Sequence, residues 1–176
     1  TILLDSDYLV LDTSLNTLFE TDFDYRLMHN NQSPSEPSYQ LMGNIALPFV
    51  WATVVLFRKT PKAKMYFDLI GRIQNNYSYY KTLFNCNGSY RNDYAFAIAN
   101  IILNGYTIDP ANSIPWPMYT IDQTIETIPT VTDNFLHVRY KDGATAVPRQ
   151  NIHVLDKKYL QSRDFEQVVE AICEPT

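Results

Sequence analysis

Asp5-Ser6-Asp7 sets two carboxylates two residues apart, directly behind the apolar run Ile2-Leu3-Leu4. An apolar run that ends in paired acids reads as a buried strand closing on a site, because ligands of open α/β sheets gather beyond the carboxyl ends of the strands. Backbone leaving a strand can turn both carboxylates toward one hard divalent cation. Magnesium and manganese are held in this way, by one or two carboxylates, water and substrate phosphates. An ion so held neutralises a diphosphate and stabilises it as a leaving group. The same tripeptide also occurs in solvated turns, so it takes its meaning from the strand in front of it.

The elements around these acids are legible in outline. Tyr8 to Leu11 is a second short apolar run, after which Asp12-Thr13-Ser14 offers capping side chains ahead of Leu15, Leu18 and Phe19 at helical spacing. Asp24 to His29 reads as a short strand, and Asn30 to Tyr39, with Pro34 and Pro37, as a surface loop that is either a lid or an ordinary connection. WATVVLFR, residues 51–58, fits a buried strand entering a helix capped by Thr60 with Pro61 in its first turn. Tyr66, Ile70, Ile73, Tyr77 and Tyr80 define one face of that helix, running to about Phe84. Asn87-Gly88-Ser89 makes a turn, and Arg91-Asn92-Asp93 heads a near-apolar helix stopped by Gly105; those three polar side chains either cap the helix or belong to a site.

Beyond it, prolines 110, 115, 117 and 129 exclude a long helix. Ile114-Pro115-Trp116-Pro117 is a stiff aromatic turn that either walls a groove or packs on a sheet. Strands are expected at Met118 to Ile121, Thr124 to Ile128 and Phe135 to Tyr140, with a turn at Lys141-Asp142-Gly143. In Asn151 to Leu160 an alternating strand sends Ile152 and Val154 to one side and His153 and Leu155 to the other. Residues 163 to 173 close as an amphipathic helix with Phe165, Val168, Val169 and Ile172 facing in.

The 176 residues suffice for one domain burying about 70% of its unfolded surface. Thirteen tyrosines predict a core and clefts rich in amphipathic rings, which suit sugars among other ligands. A net charge of -5 with dispersed Lys and Arg argues against a nucleic-acid backbone as partner. Cys86 and Cys173 form neither a disulfide framework nor a zinc motif, so a reducing compartment is expected. The three Asn-x-Ser sites, at Asn31, Asn76 and Asn87, are then chance matches. No signal peptide or membrane-spanning run is visible. These features together predict a cytoplasmic protein.

The phrase ILLDSDYLVLDTSLNTLFE, residues 2–20, resembles the segment around the DxD motif of GT-A-fold glycosyltransferases. Residues 51–70 look like the strand and helix that follow that motif, except that Trp51-Ala52-Thr53 replaces the small polar and glycine residues that approach the donor sugar. YRNDYAFAIANIILNG and NIHVLDKKYL look like uncharacterised glycosyltransferase-like proteins of tailed phages, which would place the chain in the host cytoplasm.

The resemblance implies an α/β fold with a mixed sheet flanked by helices, and Mn2+ or Mg2+ as cofactor. It implies a nucleotide-diphosphate sugar, UDP-sugar first, as donor, and an acceptor of unspecified kind. Asp5, Asp7 and a late histidine would hold the ion. His153 with Lys157 or Lys158 is the preferred late pair and His137 with Lys141 the competitor. Asp93 falls where the family places an acid that contacts sugar or acts as general base, although Tyr94 stands where Gln is common. Ser6, Trp51, Thr53, Arg91, Asn92 and Lys157 complete the expected substrate contacts. The family's nucleotide-binding half precedes the DxD strand, so the sequence reads as the C-terminal part of such a fold.

Two other readings compete. A non-catalytic binding or structural module on the same scaffold fits the missing half and the bulky Trp51. A haloacid-dehalogenase-like phosphohydrolase also uses an early D-x-D, but it wants a small residue and Thr or Val where Tyr8-Leu9 stands, and a later strand ending in paired acids.

Overall fold

The structure, a computed structural model, describes residues 1–33, 37–38, 41–42, 47–107, 109–121 and 126–173. It is mixed α/β. In chain order the strands are β1 (Ile2–Leu4), β2 (Tyr8–Leu9), β3 (Tyr25–Met28), β4 (Asn31–Gln32), β5 (Pro37–Ser38), β6 (Leu41–Met42), β7 (Leu47–Pro48), β8 (Trp51–Phe57), β9 (Met118–Ile121), β10 (Glu126–Val131), β11 (Phe135–Tyr140), β12 (Gly143–Pro148) and β13 (Ile152–Val154). The helices are α1 (Ser14–Thr17), α2 (Pro61–Asn75), α3 (Tyr77–Leu83), α4 (Asn92–Leu103), α5 (Lys157–Leu160) and α6 (Arg163–Cys173), with 3-10 turns at Leu18–Glu20 and Pro110–Asn112. The chain divides into two compact units.

The first unit comprises Thr1–Asp5, Phe19–Asn30 and Tyr39–Pro117. Its main sheet is antiparallel, with β8 between β1 and β3. β8 is the buried strand: Val54, Val55 and Leu56 are wholly inaccessible, as a β-branched run flanked on both edges should be. α2 starts as its residues predict, with Pro61 at the first position and Thr60 Oγ1 accepting from the Ala63 amide at 3.1 Å. Tyr66 and Ile73 are wholly buried, and the Tyr66 ring stacks on Tyr25 at 4.1 Å while its hydroxyl donates to Phe96 O. α4 is buried from Ala95 through Ile101. Gly105 ends it at φ +63, a backbone state that suits glycine. Burial pushes the Tyr25 phenol up to about 12; its hydroxyl donates to Asn100 Oδ1, which also accepts from Asn104.

Two expectations are corrected here, and one alternative left open is decided. Ile2–Leu4 is not a buried central strand: it pairs with β8 alone among the described residues, and Leu3 and Leu4 are 43% and 40% exposed. Three apolar residues have too little length to show whether one face or both are covered, whereas the seven of β8 form a near-continuous apolar run in which Thr53 is the one polar member. The helix from Pro61 does not run unbroken to Phe84. Asn76 interrupts it, its side-chain amide donating to Arg72 O at 2.9 Å in competition with the backbone ladder, and Tyr77 and Tyr80 are only half-buried. Finally, the Ile114 to Pro117 turn packs on the sheet: the Ile114 amide donates to Leu27 O at 2.8 Å and the Ile114 side chain is buried.

The second unit comprises Ser6–Leu18, Asn31–Ser38 and Met118–Thr176. Its sheet runs β2-β13-β9-β4-β5, with β13, β9 and β4 mutually parallel and the two outer strands antiparallel to them. Ile152, Val154, Tyr119 and Ile121 on one face of it join Ile128, Leu136, Val138, Val147, Tyr159, Phe165 and Val168 in a continuous core. The meander β10-β11-β12 supplies the middle of that core. β12 is not foreseen from its Gly- and Pro-bearing sequence; it lies at the edge of its sheet, where Pro148 is tolerated. In α6, Phe165 and Val168 face in as expected, but Val169 is 40% exposed. The 30–39 loop and the 124–128 strand fall partly outside the described residues; within them, Asn31–Gln32 pairs with β9 and β10 begins at Glu126. Cys86 is buried and Cys173 exposed, and neither is in a disulfide. No helix of the described residues is long and apolar enough to cross a membrane.

Candidate functional site

In the second unit, the sequence from Asp7 to Asp12 is held along β13. The Val154 amide donates to Asp7 O at 2.9 Å, and Tyr8 and Leu9 pair with His153 and Ile152. At the far end Asn151 Oδ1 accepts the amides of Leu11 and Asp12 at 2.7 and 3.0 Å, while its own amide donates to Asp12 Oδ1 at 2.8 Å. Asp12 Oδ1 also accepts from the Ser14 amide, so the acid expected as a helix cap additionally locks this strand pair. Register is set by that latch, because a one-residue slip would invert every side chain between faces.

Alternation along β13 then decides what faces where. Ile152 and Val154 enter the core, and His153 points to the opposite face with its register partners Tyr8 and Thr120. Burial, with the Asp12 charge second, raises the Tyr8 phenol well above its usual range. His153 is 4% exposed and Asp7 6%. Asp7 Oδ1 lies 3.5 Å from His153 Nε2, too far for a good hydrogen bond, and Oδ1 is buried with no hydrogen bond. Thr120 Oγ1 is in the same condition.

A buried carboxylate oxygen beside an imidazole nitrogen, with its hydrogen-bonding capacity unused, is a donor pair suited to a divalent cation. Ligand atoms at adjacent corners of an octahedron with bonds of about 2.1 Å sit about 3 Å apart, so the 3.5 Å pair needs only a small closure. Asp7 and His153 are the two members of the expected ligand set that lie side by side in this unit. The competitor His137 is exposed on β11 in the meander, away from any such pair. Lys157 and Lys158 are exposed at the start of α5, which Asp156 caps through the Lys158 and Tyr159 amides.

Asp5 belongs to the first unit, is exposed, and its amide donates to Thr53 O at 2.9 Å. Among the described residues no group of three His, Cys, Asp or Glu side chains is arranged to hold a metal ion. Ser6, between the two acids, is exposed.

The remaining candidates gather in the first unit at the start of β8. Asp93 Oδ1 accepts from the Ala52 amide at 3.0 Å, and Oδ2 accepts from Arg91 Nε and Nη2 at 3.0 and 2.6 Å. Asp93 thus ties the head of α4 to β8 in addition to placing an acid in the helix's first turn. The Arg91 side chain is 55% exposed, and its guanidinium lies over the Phe49 and Tyr94 rings. Asn92 is exposed and accepts from the Tyr90 hydroxyl. Trp51 is buried against Phe49, with ring centroids 5.0 Å apart, and Thr53 is buried in β8. Trp51 therefore occupies its space itself. His29 sits here as well: its Nδ1 donates to Phe49 O at 3.0 Å, Nε2 is buried without a hydrogen bond, and burial holds its pKa below the usual 6.5.

Two contributors are not singled out by their sequence context. Asn151 precedes its strand without a motif, and Thr120 shows only as the polar member of the alternating MYTI. Compared with known proteins, the chain matches no family model, no curated protein and no solved structure.

Proposed function

We propose that this chain is a metal-dependent glycosyltransferase of the GT-A type, moving a sugar from a nucleotide-diphosphate donor, UDP-sugar first, to an acceptor. The observation that carries this reading is the meeting of Asp7 and His153. Two residues from opposite ends of the chain, both implied as metal ligands by the resemblance, lie 3.5 Å apart and buried, with a carboxylate oxygen free of hydrogen bonds. The mixed α/β architecture, with a central parallel trio of strands, is compatible with that family.

In this reading Asp7 and His153 hold Mn2+ or Mg2+, which supplies the positive charge that stabilises a departing nucleoside diphosphate. The latch of Asn151 on Asp12 keeps Asp7 in register against His153. Lys157, exposed close behind His153, offers a further cation to the diphosphate.

A specific observation also favours the non-catalytic module on the same scaffold: both Asp93 oxygens are engaged in holding structure, and Trp51 fills its own space. Calorimetric titration with UDP, with and without Mn2+, on the wild type and Asp7→Ala tests the first reading. Metal-dependent binding that Asp7→Ala abolishes supports it, and binding unaffected by that substitution overturns it. Metal-dependent binding with no transfer or hydrolysis of a UDP-sugar would select the module.

A further inference from the structure

We propose that the cavity between the end of β8 and the first turns of α2 binds a small amphipathic anion, an apolar body the size of a medium acyl chain carrying one carboxylate or phosphate. The cavity measures about 360 Å3, and its lining residues all belong to the first unit. That volume lies within the range of small-molecule sites. Its floor is apolar, made by Phe57 of β8 and by Ala63 and Phe67 of α2, with the two phenyl rings edge to face at 4.9 Å. Main chain holds the strand side, the Phe57 amide donating to Thr1 O at 2.9 Å. Filling such a recess with hydrocarbon removes apolar surface from water.

The rim is cationic. Arg58, Lys59 and Lys64 line it, and Asp68 is the one acid among the described lining residues. Arg58 is half-buried and fixed in place: its Nη2 donates to Phe19 O and Thr21 O, and its guanidinium lies over the Phe19 and Phe23 rings. Among the described residues no carboxylate pairs with Arg58 or Lys59, while Asp68 pairs with Lys64. A guanidinium drawn partly out of water without a counter-charge carries a cost that an anion at the rim removes. Helix stability does not account for these cations, because the first turn of α2 holds Lys62 and Lys64 and no acid, against the preference of its dipole. The Ala63 amide is already taken by Thr60 Oγ1, so the attraction comes from side chains. An apolar floor beside a cationic rim suits a ligand with both parts, since bare phosphate leaves the floor wet and a neutral hydrocarbon leaves the rim uncompensated.

The test is calorimetric titration of the full chain with octanoate, octyl phosphate, octanol and inorganic phosphate, on wild type, Lys59→Glu and Asp68→Asn, with a thermal melt of each variant. Both substitutions are at exposed positions away from Asp7 and His153, so the melts should match wild type. Octanoate or octyl phosphate is expected to bind at least about tenfold more tightly than octanol or inorganic phosphate, and the tighter of the two names the head group. Lys59→Glu should weaken the anion about tenfold and leave octanol unchanged, an effect that shrinks as salt rises. Asp68→Asn should tighten it about threefold by releasing Lys64 to the ligand. Either shift in its stated direction supports the site. No binding of either octyl anion would overturn the proposal, as would octanol matching octanoate, inorganic phosphate matching octyl phosphate, or both variants matching wild type.

Discussion

At the head of α4 the Asp93 carboxylate is fully used, with one oxygen on the Ala52 amide and the other on the Arg91 guanidinium. Beside β13 the Asp7 carboxylate is more deeply buried, and yet its Oδ1 has no hydrogen bond. Both acids sit at the edge of an apolar element, and both are set by strand neighbours. They differ in what the surroundings give them. A satisfied carboxylate is structural work already complete, whereas an oxygen buried without a hydrogen bond costs the fold free energy. The contrast separates a fully engaged carboxylate from one with an oxygen to spare, without reference to either residue's motif.

That contrast can be broken most decisively at Asp7. Under the proposed reading, Asp7→Asn is expected to lower Mn2+ affinity at least about 100-fold, some 2.7 kcal/mol, and to leave metal-free stability level or higher, because Asp7 Oδ1 makes no hydrogen bond for the substitution to remove. Calorimetry with Mn2+ and urea unfolding without it check both halves. A loss of about 2 kcal/mol in the metal-free protein would make Asp7 a joint like Asp93.

The reciprocal change, Asp93→Ala, leaves the Ala52 amide unpaired and removes the acid from the first turn of α4, a cost of about 2 kcal/mol. Little of this comes from the Arg91 pair, which is half-exposed. Urea unfolding measures it, and Mn2+ binding in the same variant should stay at the wild-type level.

His29 sharpens the comparison within the first unit, because its buried Nε2 resembles the Asp7 oxygen while its Nδ1 is bonded like Asp93. Its folded pKa is depressed by burial below 6.5. Stability from this group is therefore present above about pH 6.5. It is lost as pH falls toward the lowered folded value, because there the unfolded chain takes up a proton and the native one does not. The slope in that window is at most about 1.4 kcal/mol per pH unit, and His29→Gln should flatten it in unfolding titrations between pH 7.5 and 5.

The smallest effect is expected at Lys157. It is exposed and makes no part of either cluster, so Lys157→Ala should leave stability within about 0.5 kcal/mol of wild type. In the proposed reading it weakens Mn2+-dependent UDP binding about threefold, and more steeply at low salt than at high. An unchanged affinity across salt concentrations would remove Lys157 from the donor site.

Legibility followed length and chemistry. The Thr60-Pro61 start of α2, the buried β8, the Gly105 stop and the turn at Lys141-Asp142 are all visible in sequence because each depends on a local preference that the fold leaves in force. The edge position of β1, the break at Asn76 and the outward Val169 are not, because three apolar residues, one asparagine and one valine are each consistent with two environments. At the site the same division holds. Asp7 and His153 are expected as ligands through the resemblance, whereas alternation by itself separates His153 from Ile152 and Val154.

What the sequence alone determined was therefore the inventory: which acids and imidazoles were available, which strand and helix each stood on, and which side of β13 His153 would face. What only the tertiary structure decided was company. Pairing of β2 and β9 on either side of β13 brought Asp7 and Thr120 to His153, while the amide of Asp5 went to Thr53 and both oxygens of Asp93 were drawn into holding β8. The reason is physical. A side chain's type and its local face follow from a few neighbouring residues, but its partners follow from strand order and register, which are set by contacts between segments far apart in the chain.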